Sequence, residues 1–528
     1  EDMVERGMLE PGIMGFRLKA DAEHSLPPTI QAVWKRRLEA TFASIDLAGQ
    51  NAVRVGAALG SSVDEREWYT VCDALGIEIP EILLTKLARA GLVDISDSGW
   101  SFTHGLLREC LEQPGEPLWS EINLACAKML VHSQQDADVQ ARIGRHLVAA
   151  GKLEESLSHL HEGAVQARKS GIFSTALNLL DAQEATMRDL GLVQSDVRWG
   201  HVWHQRLVSL YNLRRWDRLG PLAAKLGKAA TNHDWTDLRP IAIRWRAMTA
   251  THDNDFDDAL QLFAEAESLL QPDQAHEHGQ ILHTWALLLR RMGNGEAAQD
   301  KLQRAAALFE GLDAWSEYAS TRYQQAALRS MLFDDQEQAL SLLGEAQSLH
   351  TRLGENMGVA DCWNGIAEIH RTNRNFVDAE AAYEQAEIFF RRAGIAAEVV
   401  PKANRGLLQL QRDQFDDAKE LFIEILHSHA LESFGVLMPC VHAGLMVCAA
   451  SSTDWSTWQE HEKRLREALQ KTPMVERDLA VPLEHAADLA KENGHAAFAR
   501  SSWTLAREQW QAIGDAEAVE RIDRKINT

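Results

Sequence analysis

Along most of this chain apolar residues return at spacings of three and four, the signature of helices that bury one face and wet the other. The pattern is clearest in the stretch VADCWNGIAEIHRTNRNFVDAEAAYEQAEIFFRRAG, residues 359–394. It predicts two amphipathic helices joined by a short polar turn. The first carries Trp363, Ile366 and His370; the second carries Phe376, Ala379, Tyr383 and Ala386. Small Ala379 and Ala386 bracket large Phe376 and Tyr383, the alternation that close-packed helices need in order to interdigitate. One such pair cannot cover its apolar stripe on both sides, so it must stack on copies of itself.

The copies are present. The position of Ala379 recurs about every forty residues, at Ala176, Leu219, Ala259, Ala298, Ala339, Ala418, Trp458 and Ala499. A large residue follows one turn later in Phe263, Leu302, Leu343, Tyr383, Phe422 and Trp503. Glycine closes several second helices, at Gly311, Gly354, Gly394 and Gly514, where a left-handed cap suits a residue without a β-carbon. The spacing of Trp363, Ile366, Ala367, His370, Phe376, Ala379, Tyr383 and Ala386 resembles the tetratricopeptide repeat, over roughly residues 138–513. The unit here is longer than the usual 34 residues, and glycine stands where that family has proline. The resemblance implies a right-handed α-solenoid whose first helices line a concave groove, a scaffold that binds peptides, proteins or small effectors.

The first part of the chain reads differently. Residues 1–25 suggest a helix end at Glu5–Leu9 and a short strand at Gly15–Leu18. Pro27-Pro28 should start a helix running to Ile45, and shorter helices are expected near Ala48–Leu59, Asp64–Leu75 and Pro80–Ala90. Two β-rich runs, Gly91–Ser96 and Trp100–His104, flank an Asp-Ser-Gly turn and read as a hairpin. Helices followed by such a hairpin make a winged helix. The expected class is therefore mostly α. It has a winged-helix domain over 1–111 that includes the remnant of an upstream module, and a helical connector over 112–137. The repeat array covers 138–513 and a capping helix 514–528. Glu1-Asp2-Met3-Val4 reads as a helix entered midway, so the chain is expected to be a piece of something larger.

The run Phe102-Thr103-His104-Gly105-Leu106-Leu107-Arg108-Glu109-Cys110 is similar to the motif that closes the winged helix of bacterial STAND-type signalling ATPases. Ala57-Ala58-Leu59-Gly60 and Leu87–Val93 also resemble that domain. The resemblance implies that His104, with Arg108 as a second contact, senses ADP or ATP held by an ATPase module. No G-x-x-x-x-G-K-[ST] phosphate loop occurs in this chain, so any such module lies upstream and no cofactor is expected within these residues. Glycine at 105 departs from the acidic residue of many family members.

Composition narrows the choices. The formal net charge of −23 argues against nucleic acid as a partner, as do Asp94 and Asp97 at the hairpin tip; the helix that would enter a groove offers only Lys86 and Arg89. Six cysteines without a Cys-x-x-Cys pair read as reduced, buried thiols in a cytoplasmic protein. No apolar run approaches the ~18–20 residues of a membrane span, so insertion is not expected. The histidine pairs His201/His204, His276/His278 and His427/His429 lack the further ligands of a closed metal site, and no H-E-x-x-H or G-x-S-x-G occurs. Neither a metal nor catalysis is expected. Of 16 tryptophans, Trp203, Trp245, Trp285, Trp363 and Trp503 fall on helices of the array and read mainly as core.

Aligning the repeats places His204, Arg244, His283, Gln324 and Asn364 at one position of five successive first helices, with Arg290, Glu368 and Arg371 further along. These are the candidate groove residues, since arginine and asparagine clamp carboxylates and peptide backbone. The expected function is a sensor and interaction module. It binds a protein, peptide or small effector in the groove and regulates an upstream nucleotide-dependent switch, which leaves open a ligand-driven oligomer of the full-length protein. Two alternatives stand beside it: a passive scaffold, and a winged-helix transcription regulator whose repeats bind an inducer.

Overall fold

The computed structural model describes residues 9–12, 15–18, 30–112, 114–133, 136–393, 396–428, 435–471 and 474–527. The helix starts expected at Glu1–Val4 and Pro27-Pro28, most of the helix end at Glu5–Leu9, the cap at Gly394 and His429 lie outside them. The chain is mostly helical. It divides into two compact units, residues 1–166 with 176–194, and residues 167–175 with 195–528.

In the first unit β1 (Leu9–Gly12) pairs antiparallel with β2 (Gly15–Leu18). Helices α1 (Ile30–Phe42), α2 (Leu47–Leu59), α3 (Glu65–Ala74) and α4 (Leu83–Arg89) follow. Asp46 and Asp64 begin α2 and α3 by accepting backbone N–H bonds, which satisfies donors that a helix start leaves unpaired. The expected hairpin forms as β4 (Val93–Ser96) and β5 (Gly99–Phe102). A third strand, β3 (Ser62–Asp64), adds to β5, so the sheet order is β3-β5-β4. Trp68 and Trp100 form the centre, edge to face with centroids 5.3 Å apart, and the Trp68 indole donates to the Ala52 carbonyl at 2.7 Å. Gly56 admits Trp100, because a β-carbon there would come within 2.3 Å of the ring. Helices α5 (Gly105–Leu111), α6 (Pro117–Val131) and α7 (Ala137–Ala149) pack on, and Arg142 of α7 holds Glu67 of α3 at 3.0 Å. Helices α8 (Leu153–Lys169) and α9 (Phe173–Asp189) complete this stretch of chain.

The second unit is a row of helical pairs. In order they are α10 (Arg198–Asn212) with α11 (Trp216–Asn232), and α12 (Arg239–His252) with α13 (Phe256–Ser268). Next come α14 (Ala275–Arg291) with α15 (Gly295–Gly311), and α16 (Trp315–Leu332) with α17 (Gln336–Leu353). Then follow α18 (Asn356–Thr372) with α19 (Phe376–Arg392), and α20 (Val399–Gln411) with α21 (Phe415–Leu426). The last pairs are α22 (Met438–Ser451) with α23 (Trp455–Lys471), and α24 (Arg477–Glu492) with α25 (Ala496–Ile513), before α26 (Ala516–Ile526).

The repeating column is the seam of this row. Leu219, Ala259, Ala298, Ala339, Ala379, Ala418, Trp458 and Ala499 are all 0% exposed. The large residues one turn on fill the space beside them, with Phe263, Tyr383 and Phe422 also at 0%. Glycines on first helices make the aromatic rings fit. Added β-carbons at Gly406 of α20 and Gly444 of α22 would meet the Phe422 ring at 2.5 and 2.4 Å, so two helices close on one side chain. First helices of successive pairs pack on one another while successive second helices stand further apart, which puts the first helices on the inside of the curve.

Gly354 and Gly514 cap their helices in the left-handed conformation, as expected (φ 73° and 88°). Gly311 does not; it ends α15 within the helix, and Asp313 beyond it takes positive φ. A second series of left-handed residues sits in the turn inside each pair: Arg214, Asn254, Gly293, Asp334, Arg374, Asp413, Thr453 and Gly494. Helix α26 ends the row by burying Ala518 and Ile522, and its Arg521 and Lys525 bind Glu484 of α24 at 2.9 Å. Among the described residues no helix is long and apolar enough to cross a membrane.

Candidate functional site

The aligned polar position on the first helices holds side chains in two different states. His204, His283, Gln324 and Asn364 are half-buried and meet neighbours only lightly. His204 Nδ1 accepts from the Trp245 indole at 3.5 Å, and His283 Nδ1 lies 2.9 Å from the Thr321 hydroxyl. Burial, helped by the Arg244 charge, pushes the His204 pKa down to about 3 and that of His283 to about 4, so both rings are neutral at pH 7. The Gln324 carbonyl oxygen is buried without a hydrogen-bond partner among the described residues. Asn364 accepts from Asn404 at 3.2 Å, which extends the column by one repeat. Asn404 was legible at the same spacing from Asn364.

Arg244 is in the other state. It is 4% exposed, and its Nε donates to Glu277 at 2.6 Å, so its charge is spent within the fold. Arg371, at 7% exposure, is likewise occupied: Nη2 donates to Glu368 at 2.6 Å and to both oxygens of Asp478 at 2.9 and 2.8 Å. Its Nε donates to the Tyr383 hydroxyl, which in turn donates to Glu368. Glu368 and Arg371 thus tie α18 to α24, and the inner face at that end is filled by their network.

Arg290 differs from both. It is half-buried on α14 and makes no hydrogen bond or ion pair among the described residues. Burial pulls its pKa below the usual arginine range, opposed by Tyr323 and Tyr211. Other polar groups on these helices were not singled out by the repeat alignment. Arg214 lies over the Tyr211 ring at 5.8 Å. Burial raises the Tyr323 hydroxyl and pushes the Asp361 carboxyl up to about 6, the latter against the pull of Arg214 and His350. The sequence holds only 5 tyrosines, and three of them, Tyr211, Tyr318 and Tyr323, fall on first helices of the array, which was the available signal.

The tryptophans divide too. Trp203, Trp245 and Trp503 are buried, and Trp285 and Trp363 half-buried. Lys301 and Lys225 sit over Trp285 and Trp203 at 3.8 and 3.9 Å.

In the first unit His104 caps α5, its Nδ1 accepting from Leu106 N–H at 3.2 Å while the ring stacks on Trp34 at 5.4 Å. Arg108 forms an ion pair with Glu112 one turn on, both half-buried. Asp94 and Asp97 are exposed on the hairpin, and Lys86 is turned to the Ser44 carbonyl at 2.9 Å. Cys72, Cys126, Cys362, Cys440 and Cys448 are buried, and burial pushes Cys72 up to about 12, which makes it a packing group and not a nucleophile. Among the described residues no three His, Cys, Asp or Glu side chains are grouped to hold a metal ion.

No family model matches the chain, and no curated protein matches it. Solved structures do. A STAND protein with a tetratricopeptide repeat sensor from Pyrococcus horikoshii is 12% identical, covering 94% of this chain and 68% of that one, with a TM-score of 0.43. A Rap protein complexed with competence and sporulation factor is 14% identical over 70% of this chain and 96% of that one, with a TM-score of 0.42. Aspartyl phosphate phosphatase F from Bacillus subtilis is 12% identical over 67% and 94%, with a TM-score of 0.43.

Proposed function

We propose that this chain is an interaction and sensing module, and that a peptide or protein segment binds along the first-helix side of its second unit. The observation that carries this is the row His204, His283, Gln324 and Asn364. Each is a polar side chain left half-open at the same place in its repeat, while the neighbouring seam of the same array is closed to 0% exposure. His204, His283 and Asn364 each spend one polar atom on a neighbouring side chain, and the Gln324 carbonyl oxygen meets none among the described residues, so the row keeps polar capacity that the fold does not use. An extended segment offers backbone donors and acceptors at the reach these side chains need. The test is selection of a displayed random-heptapeptide library on the full chain. Selected binders should weaken about tenfold or more when Gln324 and Asn364 are both changed to Ala, with the thermal midpoint unmoved. Binders indifferent to that double change would place the interaction elsewhere.

A second reading, regulation of an upstream nucleotide switch through His104, is supported by one feature. The cap bond uses Nδ1 and leaves Nε2 without a partner among the described residues. Its test is ADP retention by the full gene product with and without His104→Ala; equal retention rejects it. A passive scaffold requires neither result. The transcription-regulator alternative is disfavoured by exposed Asp94 and Asp97 on the hairpin, which phosphate would repel.

A further inference from the structure

Among the described residues, α22 is the one first helix of the array that keeps no wetted face along its length: every residue from Pro439 to Ala450 is buried. The helix laid along it is α24, whose Leu479, Ala480 and Leu483 join Cys440 and Val441 of α22 in one buried cluster. The start of α24 also reaches the end of α18, where Arg371 Nη2 meets both oxygens of Asp478 at 2.9 and 2.8 Å. Two features weaken this cover. Pro482 lies inside α24 and has no N–H, so the Asp478 carbonyl four residues back lacks the helical bond that would fasten the first turn to the second. Between that turn and the ends of α18 and α20 is a cavity of about 30 Å³, lined by Arg371, Leu407, Leu410, Asp478 and Pro482 among others. It leaves room for a water where close packing would hold the turn down. On its other flank the turn is tied loosely. The Glu476 N–H reaches Gln509 at 3.3 Å, and the Arg477 guanidinium stands 5.8 Å from the Trp510 ring centroid.

We propose that the first turn of α24, Arg477–Val481, is a lid that opens about Pro482 when the Arg371–Asp478 pair parts, uncovering the start of α22 around Cys440. Closed, the pair is a charge-assisted contact that holds the turn against α18. Parting strands neither charge. Arg371 keeps Glu368, and Asp478 passes into water at a helix start, where a carboxylate is favoured. The open form is therefore a local opening of one turn, with the array on either side intact. The lid decides whether the start of α22 belongs to the accessible first-helix side. The Cys440 thiol, which burial and then the Asp478 and Glu476 charges push up, is unreactive while the lid is shut.

The buried thiols report the motion without any ligand. The full chain is treated with iodoacetamide under native conditions, and labelling at each cysteine is followed by peptide mass spectrometry. Cys440 should label about tenfold or more faster than Cys448, toward the far end of the same helix, and than Cys72 in the first unit. Asp478→Asn, which removes one charge-assisted bond, should speed Cys440 by about tenfold or more and leave Cys448 and Cys72 unchanged. Pro482→Ala, which restores the missing N–H, should slow Cys440. Equal labelling of Cys440 and Cys448 in the native chain, or equal acceleration of both by Asp478→Asn, makes the network a static brace and overturns the lid. A Pro482→Ala chain that labels Cys440 as fast as the native chain overturns it as well. Should Asp478→Asn fail to fold, the native and Pro482→Ala rates decide the matter by themselves.

Discussion

Arg371 and Asp478 are 107 residues apart along the chain and 2.8 Å apart in space. The pairs that contain them are third neighbours, α18/α19 and α24/α25, with two further pairs between. In a straight stack of repeats each pair touches only the next. Contact across three steps means that the first helices curve tightly at this end, and that a buried charge network holds the curve.

Asp478→Asn should therefore loosen more than its own helix. Arg371 keeps Glu368, so the loss is that of one charge-assisted bond, about 1.5–3 kcal/mol. Hydrogen exchange should quicken in α18 and α24 together. A rise confined to α24 would mean the bond does not couple them.

Gly406 and Gly444 close on opposite sides of the Phe422 ring. Alanine at either must displace a fully buried ring between two helices, an overpacking cost of about 1–3 kcal/mol despite the better helix propensity of alanine. Urea unfolding monitored by circular dichroism checks the sign. A stabilised Gly444→Ala would show that the ring has room to move.

Arg244→Ala should be destabilising by about 3–5 kcal/mol, because Glu277 is left buried and without its cation. Arg290→Gln, with no partner to strand, should leave the thermal midpoint nearly unchanged. Comparing the two melting curves separates a paired arginine from one that has no ion pair among the described residues.

His146 is 7% exposed and its Nδ1 lies 2.9 Å from the Asn123 carbonyl oxygen. Burial first, then the Arg142 and Arg145 charges, lowers its pKa to about 4 from 6.5. Below pH 6.5 the unfolded chain takes up a proton that the folded chain refuses. The associated stability is complete above that pH and is lost as pH falls toward 4, on the order of 3 kcal/mol. His146→Asn should flatten the stability profile across this window; an unchanged slope would assign the acid sensitivity to other groups.

How much of this was visible in the residues follows from range. The pairs, the closed column and the terminal helix α26 depend on spacings within one or two helices. Arg244, Glu368 and Arg371 read as groove lining because a charged residue at helical spacing looks the same whether it faces water or a counter-charge. Their partners Glu277 and Asp478 lie 33 and 107 residues away, beyond any periodic pattern. Strand β3 escaped because three residues are too few to show a period of two. The free state of Arg290 is a property of what does not surround it, which no local pattern encodes.

The left-handed residue inside each pair bears on how such a chain can change. Arg214, Asn254, Asp334, Arg374, Asp413 and Thr453 hold a conformation that costs a side-chain-bearing residue about 1 kcal/mol, yet glycine occupies the same place only at Gly293 and Gly494. The bend is imposed by the helices it joins, so the identity of the residue there is nearly free to drift. These corners are a reserve of unclaimed robustness, and Thr453, branched at its β-carbon, is where an engineer would draw on it first.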